Sequence, residues 1–203
     1  MEMAAAGQRI IGLTGGIATG KSTVANYLKT TYGVPLLDAD LYARQVVEPG
    51  SLVWQAIVQR YGRQIALADG QLDRVRLGEI IFSQPAERLW LEAQIHPQVR
   101  DRLQQDSQAL SAEPALVMVI PLLFEARMTD LVTEIWVVTC PATQQLERLI
   151  ARNALTPLQA QARINSQMPL EQKVAAADIV LNNSSTPAAL FQQVDRAWQR
   201  GSA

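Results

Sequence analysis

Eight consecutive residues, Gly15-Gly16-Ile17-Ala18-Thr19-Gly20-Lys21-Ser22, carry the pattern G-x-x-x-x-G-K-[ST]. A strand-like run, Arg9-Ile10-Ile11-Gly12-Leu13-Thr14, precedes them, and a helix-like run, Ser22-Thr23-Val24-Ala25-Asn26-Tyr27-Leu28-Lys29, follows. That strand–loop–helix setting is what makes the pattern a phosphate loop rather than a glycine-rich turn. The glycines permit positive φ and close backbone approach. Successive N–H groups of residues 15–23 can then converge on one anion at the positive end of a helix dipole. Lys21 adds a mobile positive charge for β- and γ-phosphates, and the Ser22 hydroxyl suits a Mg²⁺ ligand. The chemistry indicated is binding of a nucleoside triphosphate, with Gly15 through Thr23 as its cradle.

A second constellation follows the next apolar run. Leu37-Asp38-Ala39-Asp40 leads into Leu41-Tyr42-Ala43-Arg44. Asp38 and Asp40 stand at i and i+2, so the two carboxylates lean to the same side if strand geometry continues through them. One of them could orient an acceptor hydroxyl and take its proton; Asp40 is the first choice, and Asp38 the rival base or a ligand to metal-bound water. Arg44 suits an anionic group of the acceptor, or else a surface ion pair. Later, Arg148 and Arg152 stand four apart and so share a helix face, next to an apolar stripe of Leu146, Leu149 and Ile150. They read either as a lid that closes on the transferring group or as a solvated arginine face.

The elements that must position these residues are five short, β-branched apolar runs: Arg9–Thr14, Val34–Asp38, Ala115–Ile120, Glu134–Thr139 and Asp178–Leu181. They lack clear alternation, as expected of parallel strands covered on both faces. Helical patterns between them predict an α/β three-layer domain over residues 9–203. Ligands of such sheets gather at the carboxyl ends of the strands, where both constellations fall. The stretch of about 51–110 holds no convincing strand and is far longer than a minimal crossover of about a dozen residues. It is expected to be a helical insertion: Ser51 caps a helix with Leu52, Ile57 and Val58 as apolar positions, and Asp69-Gly70 makes a turn. Asp73 caps the next helix. Pro85 opens another with Leu89, Leu91 and Ile95, and Pro97 begins a fourth. Ordinary crossover packing is the alternative. Thr156 and Pro157 predict the start of a further helix carrying Arg163, so about 143–168 reads as a two-helix lid.

Composition excludes several classes. The 203 residues have 48% hydrophobic content and a net charge of −1, which gives no global basic field for nucleic acid or acidic membranes. No uncharged apolar run reaches the roughly 18 residues that a membrane span needs. Met1–Gly7 lacks the features of a secretory signal and reads as a short disordered lead-in. A cytoplasmic location and a monomer are the expectations. The single cysteine, Cys140, rules out an intrachain disulfide or a cysteine-rich zinc site, and is expected to be a small buried residue. The single histidine, His96, precedes Pro97 at an expected helix junction, where a cap or packing role or a substrate-side role fits.

Taken together, Gly15–Thr23, the D-A-D-x-x-A-R segment Asp38–Arg44, His96-Pro97, Pro121-Leu122-Leu123-Phe124-Glu125 and Ser166-Gln167-Met168-Pro169 closely resemble the dephospho-CoA kinase family, in order and spacing along almost the whole chain. The resemblance implies a P-loop kinase fold with a five-stranded parallel core, a helical CoA-binding region and a lid. It implies ATP and Mg²⁺ as cofactors and dephospho-CoA as the small-molecule partner, with its ribose 3′-hydroxyl phosphorylated to give coenzyme A. Carried onto this chain, Lys21, Asp40, Arg148 and Arg152 take catalytic roles, and Asp38, Asp40, Arg44, His96, Leu123 and Glu125 line the substrate side. Two departures stand out. Many members carry an acid two residues before the Pro-Leu-Leu segment, where this chain has Val119. Many also carry a basic residue at the place of Ala176, so Arg148, Arg152 or Lys173 would have to stand in for it.

Three other classes are weighed against this one. Another small-molecule or nucleotide kinase would share the phosphate loop and differ in its acceptor pocket. A GTP-dependent switch would need N-K-x-D and D-x-x-G signatures, which are absent; the fourth apolar run ends Val138-Thr139-Cys140-Pro141. A nucleic-acid motor would need an apolar strand ending in paired acids and a basic surface.

Overall fold

The five apolar runs form one all-parallel sheet in the computed structural model, which describes residues 8–201. In chain order the elements are β1 (Arg9–Gly15), α1 (Lys21–Tyr32), β2 (Leu36–Asp38), α2 (Ala39–Gln45), α3 (Leu52–Tyr61), α4 (Arg74–Ser83) and α5 (Pro85–Ala109). Then follow β3 (Ala115–Val119), β4 (Glu134–Thr139), α6 (Ala142–Asn153), α7 (Pro157–Asn165), α8 (Leu170–Ala175), β5 (Ile179–Asn182) and α9 (Pro187–Arg200). The strand order is β2-β3-β1-β4-β5. Ile11 lies opposite Val117 of β3 and Glu134 of β4, and Asp38 lies opposite Val119. Strand ends shift by a residue or two from expectation, as unpaired termini do. The expected lead-in at Met1–Gly7 lies outside the described residues.

The chain divides into two compact units. One runs to Asp38 and resumes at Asp106; the other is Ala39–Gln105. The first holds the sheet. Its core joins Ile11, Leu13, Val117, Val119, Trp136, Val138 and Leu181 from the strands to Val24, Leu28, Leu190 and Val194 from α1 and α9. Tyr27 and Tyr32 of α1 both donate to Asp195 Oδ1 of α9, at 2.8 and 2.7 Å, which fixes the two helices side by side. Cys140 is buried and unpaired, as expected, and burial pushes its thiol up.

The second unit is helical around Val47, Val53, Ile57, Ile65, Leu72, Leu77 and Leu91. The caps stand where side-chain chemistry places them. Ser51 accepts from Trp54 N, and Asp73 accepts from Val75 N and Arg76 N. Two expectations fail. Leu52 and Leu89 are 75% and 61% exposed, because the buried faces run through Val53 and Leu91 instead. Nor does Pro97 begin a helix: α5 passes straight through it. An interior proline costs about 3 kcal/mol, but Leu91, Val99 and Leu103, with Ile95 between, keep one inward stripe at intervals of four across it. His96 is therefore a mid-helix residue, half-buried, with burial pushing its imidazole below the usual value and Glu92 opposing that shift.

Arg60 grips Glu87 with two hydrogen bonds of 2.7 and 2.8 Å, Tyr61 donates to the same carboxylate at 2.6 Å, and Arg60 lies 4.5 Å from the Trp90 ring centroid. The Arg60 and Tyr61 hydrogen bonds hold the Glu87 carboxyl at about 2, against an ordinary value of 4.5. A depressed carboxyl stabilises the fold fully above its ordinary value and loses that contribution as pH falls through its folded value. The melting temperature of Glu87→Gln should therefore lie below wild type at neutral pH, and the gap should close as pH drops from about 5 toward 2. Thermal scans of both proteins across that range check it; a constant gap would remove the ion pair as its cause.

Candidate active site

β1 delivers Gly15 at the carboxyl edge of the sheet, and α1 begins at Lys21. Between them the chain turns through positive φ at Gly15 (145°), Ala18 (61°) and Gly20 (108°). Thr19 closes the turn, its hydroxyl donating to Gly16 O at 2.9 Å. Lys21 lies along the loop, with Nζ 3.1 Å from Gly15 O and 2.8 Å from Gly16 O. The first turn of α1 holds no acidic residue, so its dipole is uncompensated there. Ser22 and Thr23 are exposed on that turn. This is an anion-binding concavity with a cation beside it.

Three neutral side chains brace the loop from outside, and none of them stood out in the sequence as a site residue. Gln145 of α6 donates through Nε2 to Ile17 O (2.9 Å), Gln167 accepts at Oε1 from Ile17 N (2.8 Å), and Asn183 donates to Thr19 O (2.8 Å). Their closeness explains two glycines. A Cβ at Gly16 would come within 2.5 Å of Gln145 Nε2, and one at Gly20 within 2.2 Å of Asn183 Nδ2. At Gly20 the positive φ of 108° strains any other residue, and a Cβ would also displace the end of the Asn183 side chain from its bond to Thr19 O. A cavity of about 410 Å³ opens beside the brace, lined among others by Gly16, Cys140, Gln145, Gln167 and Met168. Amides carry no charge and no periodicity, so only the Ser166–Pro169 stretch hinted at one of the three.

Arg148 and Arg152, expected on a lid, part company. Arg148 turns inward: Nη2 donates to Asn183 O (3.1 Å) and Gln144 Oε1 (3.2 Å), while Nη1 is buried with no hydrogen-bond partner. Arg152 is exposed and donates to Asn153 Oδ1 at 3.0 Å. At α7, Thr156 and Gln159 form a reciprocal capping box with Pro157 in the first turn, as the Thr-Pro pair predicts.

The strand β2 stops at Asp38 and α2 starts at Ala39, so strand geometry does not continue through Asp40. The expectation that both carboxylates lean together because of strand alternation therefore fails. Asp38 ends an edge strand of the sheet, and Asp40 lies in the first turn of α2, in the other unit; both are exposed. Arg44 lies in the last turn of α2 and, with Gln71, Arg74 and Glu48, lines a cavity of about 330 Å³ within the helical unit. Leu123, expected on the substrate side, is instead fully buried. Its side chain packs so close to Gly12 that a Cβ there would meet Leu123 Cδ2 at 3.3 Å, and this packing keeps an apolar group out of water. Asp178 is structural: its Oδ2 accepts from Ile135 N at 2.7 Å.

Glu125 has a partner the sequence did not reveal. Lys173, 0% exposed, meets Glu125 Oε1 at 2.8 Å and donates to Pro121 O at 3.1 Å. The same Oε1 accepts from Met168 N at 2.9 Å. This pair pins the segment after β3 to the segment that leaves α7. Removing the acid strands a fully buried ammonium, and removing the lysine strands a carboxylate whose Oε2 is already buried without a hydrogen-bond partner. Glu125→Ala and Lys173→Met should therefore each cost about 3 kcal/mol of stability. Urea melts of the two variants check this; a loss under about 1 kcal/mol in either would mean that the pair behaves as a surface ion pair and does not hold the two segments together.

The chain is similar to known proteins along nearly its whole length. The family described as dephospho-CoA kinase matches residues 9–188. A dephospho-CoA kinase of Trichormus variabilis is 60% identical over 190 residues, covering 94% of this chain and 96% of that one. Among solved structures, TT1252 from Thermus thermophilus is 32% identical with a TM-score of 0.81, covering 96% of this chain and 98% of that one. The dephospho-CoA kinase from Campylobacter jejuni is 27% identical with a TM-score of 0.71 over the same shares of the two chains. A phosphate loop on a five-stranded parallel sheet, in a chain that matches these proteins nearly end to end, leads to one conclusion: the chain belongs to the dephospho-CoA kinase family of P-loop kinases.

Proposed function

We propose that this protein transfers the γ-phosphoryl group of ATP to the ribose 3′-hydroxyl of dephospho-CoA, giving ADP and coenzyme A. The observation that carries the reading is the match to dephospho-CoA kinases along nearly the full chain. The loop amides of Gly15, Gly16, Ile17, Ala18, Thr19, Gly20, Lys21, Ser22 and Thr23 take the triphosphate, and Lys21 leaves its loop carbonyls for the β/γ-phosphate oxygens. The acceptor oxygen attacks the γ-phosphorus as the bond to the β-phosphate oxygen breaks, and the hydroxyl proton passes to Asp40. The transition state of such transfers is loose, so positioning and charge neutralisation do most of the work and a weak base suffices.

Arg148 has a buried, unpartnered Nη1 in the same unit as the loop, which suits a phosphoryl oxygen or the adenine; Arg152 is assigned to the same two groups on lid closure. Arg44, on a cavity that Arg74 also lines, suits an anionic group of dephospho-CoA. Asp38, His96 and Glu125 are assigned to the substrate side, Glu125 by shaping the loop after β3 and not by contact. Mg²⁺ fits the exposed Ser22 hydroxyl at the start of α1, where this ion needs only one or two protein oxygens beside phosphates and water. Bound there, it would neutralise phosphate charge. No group of three or more His, Cys, Asp or Glu suited to hold a metal occurs among the described residues. A cytoplasmic monomer is part of the proposal; no described helix is long and apolar enough to cross a membrane.

The test is ADP release by the purified protein with MgATP, with and without dephospho-CoA, beside shikimate, nucleoside and nucleotide acceptors. Release should depend on dephospho-CoA and produce coenzyme A. A folded protein that prefers another acceptor would refute the assignment.

A further inference from the structure

Within the phosphate loop, Ala18 is the one residue other than glycine with positive φ, at 61°. A Cβ disfavours that conformation. Opposite rotations about ψ of Ile17 and φ of Ala18 would turn the Ile17–Ala18 peptide over and return Ala18 to negative φ. Something must hold the peptide as it is. Its carbonyl oxygen, Ile17 O, accepts from Gln145 Nε2 at 2.9 Å, and Gln145 is itself 5% exposed, with its amide lodged against Gly16. The preceding peptide is held too, since Ile17 N donates to Gln167 Oε1 at 2.8 Å. C=O and N–H of a trans peptide point in opposite directions. Anchoring Ile17 O on Gln145 therefore aims the Ala18 N–H away from Gln145.

We propose that Gln145 is a positioning residue for the phosphoryl donor. It holds the Ile17–Ala18 peptide, against the preference of Ala18, in the orientation that puts the Ala18 N–H among the amides gripping the triphosphate. Gln167 fixes the peptide before it. Gln145 touches the loop and not the substrate. A flipped peptide would withdraw one amide and present the Ile17 carbonyl to an anion instead. The inference rests on the reading of Gly15–Ser22 as the ATP site.

The test is a double-mutant cycle on MgATP binding by calorimetry, with wild type, Gln145→Met, Ala18→Gly and the double variant. Met keeps the volume of Gln and removes the donor. In the wild-type background Gln145→Met should weaken MgATP binding about tenfold. Glycine accepts positive φ readily, so in the Ala18→Gly background the same change should cost less than about threefold. An equal loss in both backgrounds, or no loss with Ala18, would overturn the proposal; simple loosening of α6 would give the equal loss. Thermal midpoints establish that each variant is folded. Should Gln145→Met fail to fold, Gln145→Glu, which keeps the shape and replaces the donor by an acceptor, goes through the same cycle. Because the readout needs no acceptor, failure of dephospho-CoA as substrate leaves it intact, whereas a wild type that binds no ATP refutes the site and the inference together.

Discussion

Asp40→Asn is expected to lower turnover with dephospho-CoA by about 10²–10⁴-fold while leaving ATP affinity near wild type. Asparagine keeps the shape of the side chain and can still hydrogen-bond a hydroxyl. It cannot take the proton. The loop that would hold ATP contains no part of α2, so nucleotide binding should not follow the chemistry down. Asp40 stands in the first turn of α2, where a carboxylate complements the helix dipole, so folding should lose only about 0.3–1 kcal/mol. A large fall in kcat beside a small change in stability separates a base from a cap. Asp38→Asn is the necessary companion. Asp38 ends β2 on the carboxyl edge of the sheet, opposite Val119. If Asp38→Asn is inactive and Asp40→Asn is close to wild type, the roles of the two acids are reversed.

Lys21→Met should lower kcat/KM for ATP by about 10³-fold, the scale expected when a donor aimed at developing charge is removed from a phosphoryl-transfer site. Lys21 opens α1, and its Nζ reaches two loop carbonyls at 3.1 and 2.8 Å. Those bonds sit partly in water, so stability should fall by only about 1 kcal/mol. Lys21→Arg should not restore activity. The guanidinium is planar and longer, and it cannot follow the compact ammonium between two adjacent carbonyls. Steady-state kinetics and denaturant melts on both variants check this. A Lys21→Arg enzyme close to wild type would mean that charge alone, without placement, is what the loop requires.

Short-range chemistry made much of this protein readable. The phosphate loop and the caps at Ser51, Asp73 and Thr156 depend on neighbours within a few residues, and the five strands show as short contiguous apolar runs. Two expectations that needed a strand to run on, or a helix to begin, at a given residue failed. Strand β2 ends before the Asp38–Asp40 pairing could use it, and α5 runs on past Pro97 because the stripe from Leu91 to Leu103 outweighs the proline. Leu52 and Leu89 were apolar enough for a core but lay off the buried face.

The chain's own order of residues made the strand segments, the phosphate-loop motif and the family motifs legible, because each is a contiguous run whose residue types carry the signal; the pairing of the strands, such as Ile11 with Val117, was left to the fold. Tertiary structure alone decided which side chains hold the phosphate loop in shape. Gln145, Gln167 and Asn183 reach the loop from 128, 150 and 164 residues away, and Lys173 reaches Pro121 across 52. Neutral amides leave no periodic or charged trace along the chain, and the charge of Lys173 gives no sign there that it is buried against Glu125. Their meaning arises only when folding removes water and makes each unpaired polar group costly.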